Sequence, residues 1–402
     1  MYPKTIQAVL DRQHLTAPTL IQTRTFELIK NGASLVAYAR TGTGKTLAYA
    51  LPALSRVTSG RANQLVIMAP TTELAVQIRH VLNPFIAALG LHGISLVGAG
   101  NRKRQDDQLK KQHPEVIVAT PGRFFDFFSS GRIKTPQIQS LIIDEADDLL
   151  EFTKLELLTS LGQNLASSAQ ICLFGATESA ITTDAENRFQ RSFILVDVRP
   201  EQKLALHHYF LQVDNRHKVD DVQKLIKLHD FRGILFFASN QAMLRFAGIL
   251  GHTKTDFALL ANDFSKARRE QALKALGTGK IRLLLATDVA ARGLDIPNLT
   301  YVVNFDLPHD LTTYTHRAGR VGRMNASGFV VTLGDDHDQR ELKKLLEPLT
   351  VARVYFARHE LTTTKPVKVT PVSAVSTAVA PKHKRKHKKN RNKGYHPHYL
   401  KD

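Results

Sequence analysis

The chain has 402 residues, more than the roughly 100 to 200 of one typical α/β domain, so two domains and an appendage are expected. Its net charge of +19 points to a polyanion or an anionic membrane face, and it divides into +8 over residues 382–402 and +11 over the rest, so the body is basic without its end. The lone cysteine, Cys172, excludes an intramolecular disulfide, and no apolar run approaches the roughly 20 residues of a bilayer span, so the expectation is a soluble, cytoplasmic protein without a leader or a membrane partner.

In chain order, short apolar runs alternate with longer amphipathic ones. Residues 34–39, 64–69, 116–119, 141–143, 171–174 and 193–196 read as buried strands, the alternation expected of a parallel α/β sheet. Cys172 falls within one of these runs and reads as a core thiol rather than a nucleophile. A break at Asp197–Glu201 interrupts the rhythm, which restarts at 209–213, 234–238, 281–286, 301–304 and 329–333. Periodicity fails near residue 360. The expected organisation is a first α/β domain over 1–200, a second over 201–360 and a disordered basic tail over 361–402.

Ala39, Arg40, Thr41, Gly42, Thr43, Gly44, Lys45 and Thr46 stand between an apolar strand and a helical run. Glycines in such a loop let backbone N–H groups face phosphate oxygens, a lysine reaches the β- and γ-phosphates, and a threonine hydroxyl can hold Mg²⁺. Ala39 takes the place where the general pattern has glycine. This loop alone implies only a nucleoside triphosphate. A second strand ends in Asp144, Glu145, Ala146 and Asp147. There Asp144 can hold Mg²⁺ through water, and Glu145 can orient and deprotonate an attacking water. Acidic residues at a solvated helix start would look the same.

The letters D-E-A-D after a phosphate loop resemble the DEAD-box helicase family, and the resemblance runs in chain order over residues 1 to about 340. Pro18, Thr19 and Gln22 resemble the family's adenine-reading element, an amide being able to donate and accept at once. Pro70, Thr71, Glu73, Leu74 and Ala75, and then Thr120, Pro121, Gly122 and Arg123, resemble its RNA-backbone elements, with Gly98 at a paired-glycine position. In the second domain, Thr287, Asp288, Ala290, Ala291, Arg292, Gly293 and Asp295 resemble the RNA- and ribose-contacting element. Tyr314, His316, Arg317, Gly319, Arg320, Gly322 and Arg323 resemble the arginine-finger element.

The resemblance implies two tandem RecA-like domains, ATP with Mg²⁺, and RNA held by its backbone in a protein working as a monomer. ATP would bind Thr19, Gln22 and the loop from Ala39 to Thr46. Closure would bring Arg320 and Arg323 to the γ-phosphate and Asp295 to the ribose. RNA would meet Pro70, Thr71, Gly98, Thr120, Pro121, Gly122, Arg123, Arg269, Thr287 and Gly293, contacts that carry little sequence information. Gly175, Ala176, Thr177, Asp147 and His316 would couple hydrolysis to unwinding.

The chain departs from the family where Thr72 replaces an arginine, Ala99 a glycine and Gly175 a serine, and where Lys266 precedes Arg269. An upstream aromatic would fall at Thr5, with Tyr2 as a substitute for stacking on adenine. A DNA helicase, and an ATP-gated RNA clamp or annealing factor, are the competing readings. The cations from Lys382 to Lys393, with Tyr395 and Tyr399, read as a non-specific RNA tether or a solubility tail.

Overall fold

The computed structural model describes residues 2–148, 152–202, 206–214, 216–261, 264–291, 296, 299–322 and 327–365. Two sheets account for its strands. In the first, β1 (Leu35–Tyr38), β2 (Leu65–Met68), β3 (Gly93–Leu96), β4 (Val116–Ala119), β5 (Ser140–Ile143), β6 (Gln170–Gly175) and β7 (Ile194–Asp197) lie in the order β3-β4-β2-β5-β6-β1-β7, and every pairing is parallel. The second holds β8 (Leu206–Gln212), β9 (Gly233–Phe237), β10 (Phe257–Leu260), β11 (Leu283–Thr287), β12 (Tyr301–Asn304), β13 (Gly328–Gly334), β14 (Ala352–Ala357) and β15 (Glu360–Thr362). Their order is β10-β11-β9-β12-β13-β8-β14-β15, parallel except for β14 with β15.

The strands read as unbroken apolar runs because helices cover both faces of each sheet. In the first sheet, Leu35, Ala37, Leu65, Ile67, Cys172 and Phe174 pack into the core on one side. Val36, Tyr38, Val66, Met68, Ile171 and Leu173 pack into the core on the other. Cys172 is fully buried and its thiol is pushed up to about 12 by that burial, as suits a core residue. Among the described residues no helix is long and apolar enough to cross a membrane.

Sequence reading missed β3, β10, β14 and β15. All four lie at or next to a sheet edge, where half-exposed positions break up the apolar run: β3 alternates intermediate with buried positions, and in β10 only Leu260 is fully buried. β15 also carries the chain through Thr362, two residues beyond the expected end of the second domain at 360. Residues 366–402, the rest of the expected tail, lie outside the described residues.

All the sequence-marked loops of the first sheet follow the carboxyl ends of strands: 39–44 after β1, Pro70 and Thr71 after β2, Gly98 after β3, Thr120 after β4, Asp144 after β5 and Ala176 after β6. That edge is where parallel α/β sheets place their ligands.

Candidate active site

The phosphate loop is closed by its own side chains. Gly42 and Gly44 have φ of 75° and 89°, the left-handed region where a β-carbon is strained. A β-carbon at Gly44 would also stand 2.7 Å from Gln22 Nε2. Thr43 Oγ1 donates to Arg40 O at 2.6 Å, and buried Lys45 Nζ donates to Ala39 O at 2.8 Å, curling the loop over the start of the helix Lys45–Leu54. Gln22 accepts from Thr19 N at 3.0 Å and donates to Gly44 O at 3.2 Å. Each end of its amide keeps one valence for a base edge. Tyr2 instead packs edge-on against Phe26, with ring centroids 5.0 Å apart, while Thr5 is exposed.

Across the loop stands the acidic box. Asp144 is buried; its Oδ2 accepts from Tyr49 OH at 2.8 Å and its Oδ1 from Glu145 N at 2.9 Å. Burial, together with the charge of Glu145, raises the Asp144 carboxyl to about 6 against the pull of Lys45. Glu145 holds φ at 47°, a strained backbone for a residue with a side chain, and its buried Oε2 meets no protein donor. Thr41, Gly42, Gly44, Lys45, Thr46, Asp144 and Glu145 line one cleft with Arg320 of the second sheet's half, and Leu74 and Gln77 close its side. Carboxylate and hydroxyl oxygens at Asp144 and Thr46, beside the undonated Glu145 Oε2, form the hard donor set that suits Mg²⁺.

Asp147 joins the two sheets. Its Oδ2 accepts from Ala176 N at 3.0 Å and from Thr177 N and Oγ1, each at 2.8 Å, and His316 Nε2 approaches it to 3.4 Å. Thr177 Oγ1 also lies 3.1 Å from Thr312 Oγ1. Burial alone would raise the Asp147 carboxyl, but the hydrogen bond and charge of His316, with Lys45 and Thr177, hold it well below the usual carboxylate range. His316 is raised in turn: burial opposes its charge, and Asp147, Glu145 and Asp148 outweigh burial. The five residues expected to couple the halves, Gly175, Ala176, Thr177, Asp147 and His316, therefore form one cluster. Asp147 Oδ1 is buried and has no partner, and a β-carbon on Gly175 would stand 3.1 Å from it.

The expected RNA-contacting residues are distributed less simply. Thr71 caps the helix Thr72–Ala88 by accepting from Leu74 N at 3.2 Å, and Pro121 and Gly122 open the helix Pro121–Ser129 behind Thr120. Gly98 is exposed, with open space where a β-carbon would be. Arg123 turns inward: it donates to Gly98 O at 2.8 Å, Gly100 O at 3.1 Å and Gln105 Oε1 at 3.0 Å, so it shapes the 98–100 turn. Arg269 pairs with Glu73 Oε1 at 2.6 Å across the two halves. Thr287 is buried at the end of β11. Gly293, Asp295 and Arg323, like Arg292, lie outside the described residues.

A family model described as DEAD/DEAH box helicase matches residues 19–184, and one described as helicase conserved C-terminal domain matches residues 217–325. The chain is 35% identical over 337 residues to a probable ATP-dependent RNA helicase, YfmL, of Bacillus subtilis, covering 83% of this chain and 89% of that one. The chain belongs to the DEAD-box helicase family. It is also 33% identical over 345 residues to the DEAD-box ATP-dependent RNA helicase CshC of Bacillus cereus, covering 85% of this chain and 88% of the relative. Among solved structures, S. cerevisiae Dbp5 bound to RNA and ADP BeF3 matches with a TM-score of 0.77 at 24% identity, over 88% of this chain and 94% of that chain. Mss116p bound to ssRNA and AMP-PNP matches with a TM-score of 0.75 at 25% identity, over 88% and 78%. The two sheets are the tandem RecA-like domains of this family.

Several residues of this DEAD-box protein's cleft escaped sequence reading. Gln202, past the end of β7, accepts from Arg40 N at 2.8 Å and so ties the link between the sheets to the phosphate loop. Arg317, placed by the sequence in the arginine-finger element, is instead the largest fully buried side chain among the described residues; it grips Asp288 through two bonds of 2.6 and 2.8 Å and reaches Asn304 Oδ1 at 3.0 Å, a structural brace within the second domain. Thr312, Gln77 and Tyr49 carry no signal in sequence, since a threonine, a glutamine or a helix-borne tyrosine is ordinary anywhere. Only pairing across the fold reveals them.

Proposed function

We propose that this protein is an RNA-stimulated ATPase that uses ATP to separate or remodel short RNA duplexes and RNA–protein complexes in the cytoplasm. The observation that carries this reading is the single cleft in which Lys45, Asp144 and Glu145 of the first domain meet Arg320 of the second. It is supported by the names of the relatives, ATP-dependent RNA helicases, and by the solved relatives held with RNA and nucleotide analogues.

In this reading the first domain, residues 1–200, binds ATP. Gln22 reads the adenine edge, and backbone N–H groups of 41–44 with Lys45 hold the phosphates. Asp144 and Thr46 would hold Mg²⁺, which would supply charge neutralisation to the phosphates. The second domain, residues 201–360, closes on this site when RNA backbone lies against Pro70, Thr71, Gly98 and Thr120 on one side and Thr287 and Gly293 on the other. Closure brings Arg320, with Arg323, to the γ-phosphate and Asp295 to the ribose. An arginine supplied this way is worth roughly 10³ to 10⁵ in rate. Glu145 orients a water and takes its proton as the oxygen attacks the γ-phosphorus; the bond to the bridging oxygen breaks, leaving ADP and phosphate. Asp147, Thr177 and His316 report the event between domains. The basic stretch 366–402 tethers RNA without sequence preference. The protein acts as a monomer.

The test is strand displacement on a short RNA duplex with ATP. Displacement by the wild-type chain, lost in Lys45→Ala together with RNA-stimulated ATPase, is expected. ATPase activity without displacement at any RNA length would instead make the protein an ATP-gated clamp.

A further inference from the structure

Tyr49 stands one turn after Lys45 in the helix Lys45–Leu54 and is completely buried. Its ring packs edge-on against Phe174 of β6, centroids 5.1 Å apart at 63°. A phenylalanine would fill the same space. The added hydroxyl needs a partner in such a place, because a buried, unbonded hydroxyl destabilises the fold. That partner is Asp144 Oδ2, at 2.8 Å. Since Asp144 Oδ1 already accepts from Glu145 N at 2.9 Å, each oxygen of this carboxylate takes one protein donor and the plane of the group is set. Thr46 lines the same cleft as Asp144, and its side chain lies beside the same phenol.

We infer that Tyr49 is a positioning residue for the divalent cation of the nucleotide site: its hydroxyl fixes the rotation of Asp144 and holds it against Thr46, so that both oxygens meet the cation without first being ordered. This rests on reading Asp144 and Thr46 as the cation's anchors. A ligating carboxylate that is itself hydrogen-bonded loses less freedom on binding, and removing such supporting bonds typically weakens metal binding or activity by roughly 10- to 100-fold. A phenol does this without cancelling the carboxylate's charge, as a lysine partner would.

The full-length chain tests the inference through Mn²⁺ binding to its ADP complex, followed by electron paramagnetic resonance. In Tyr49→Phe the half-saturating Mn²⁺ concentration should rise about tenfold, while ADP affinity without any divalent ion stays within about twofold. In an Asp144→Asn background the same substitution should change nothing further, because the group it orients is gone. Unchanged Mn²⁺ affinity in a folded Tyr49→Phe protein overturns the inference. So does a parallel loss of metal-free ADP binding, or failure of Tyr49→Phe to fold, either of which makes the hydroxyl a packing element of the loop. Asp144→Asn alone separates the two levels of the argument. If it binds Mn²⁺ as tightly as wild type, the anchor reading fails; if it loses Mn²⁺ while Tyr49→Phe does not, only the role of Tyr49 fails.

Discussion

Gly319, at the end of the helix Leu311–Ala318, lies against Thr41 of the phosphate loop with no space between them for a β-carbon. At this contact the second domain can therefore present only a glycine to Thr41. Gly319→Ala should leave each domain folded and ATP binding to the first nearly intact, while opposing closure by the cost of overpacking, about 1–3 kcal/mol, or roughly 5- to 150-fold in RNA-stimulated ATPase. Thr41→Gly in the same chain should restore part of the loss. Steady-state kinetics with and without RNA will decide. Equal losses of ATP affinity and turnover, with no rescue, would place Gly319 in ground-state binding instead.

Gly175 and Asp147 make a second prediction. Asp147 Oδ1 is buried without a partner, and a β-carbon at Gly175 would stand 3.1 Å from it and 3.2 Å from Thr177 O, tight but within a few tenths of an ångström of fitting. Gly175→Ala should destabilise, since it crowds the carboxylate and donates nothing. Gly175→Ser should recover about 1 kcal/mol relative to alanine by donating to Oδ1. Denaturant midpoints of the two variants give the comparison. Alanine and serine variants of equal stability would show that the orphaned oxygen does not matter.

Much of this site was legible because its chemistry is local in sequence. The phosphate loop and acidic box are short runs whose residue types are dictated by phosphate and metal, and the strands before them are apolar on both faces, so loop and strand could be read together. What could not be read are pairings between distant residues. Arg123 and Arg269 looked like phosphate ligands, yet each is engaged by protein, by the 98–100 turn and by Glu73 respectively, because a guanidinium serves either task equally well. Edge strands such as β3 and β10 were lost for a related reason: their burial is decided by neighbours rather than by their own pattern.

The Glu73–Arg269 pair yields a direct discrimination. If Arg269 acts by joining the halves, Arg269→Ala and Glu73→Ala should lower RNA-stimulated ATPase by similar factors, and the double variant should be no worse than either. The salt dependence of RNA binding should not change. A flatter salt slope in Arg269→Ala alone would return Arg269 to the RNA phosphates.

His316 and Asp147 predict a pH dependence for closure. The pKa of His316 is raised in this contact, so its contribution is fully present below the ordinary histidine value of about 6.5 and is lost as pH climbs through the raised value. That of Asp147 is lowered, so its contribution is present above the ordinary carboxylate value and fails only in strong acid. The contact is thus strongest at mildly acidic pH, below about 6.5, and weakens from there up through the raised histidine value, so RNA-stimulated kcat/KM should fall as pH climbs over that range. His316→Asn should remove that alkaline limb and lower activity by about 3 kcal/mol, because buried Asp147 is left uncompensated. A pH profile measured on both proteins tests this. An alkaline limb that persists in His316→Asn belongs to another group.

The basic end of the chain supplies the last prediction. Lys382, Lys384, Arg385, Lys386, Lys388, Lys389, Arg391 and Lys393 concentrate positive charge within twelve positions, and Tyr395 and Tyr399 add rings able to stack on unpaired bases. Since β15 runs to Thr362 and pairs with β14, a deletion that spares the second domain should begin at residue 366. If about five of these cations meet the phosphates of one strand, removing 366–402 should flatten the slope of log affinity against log salt by about 3.5. ATPase activity at saturating RNA should hardly change, because none of the cleft residues is touched, but more RNA should be needed to reach it. Titrations of both proteins with the same single-stranded RNA across a salt series provide the measurement. An identical slope for the two proteins would reduce this segment to a solubility tail.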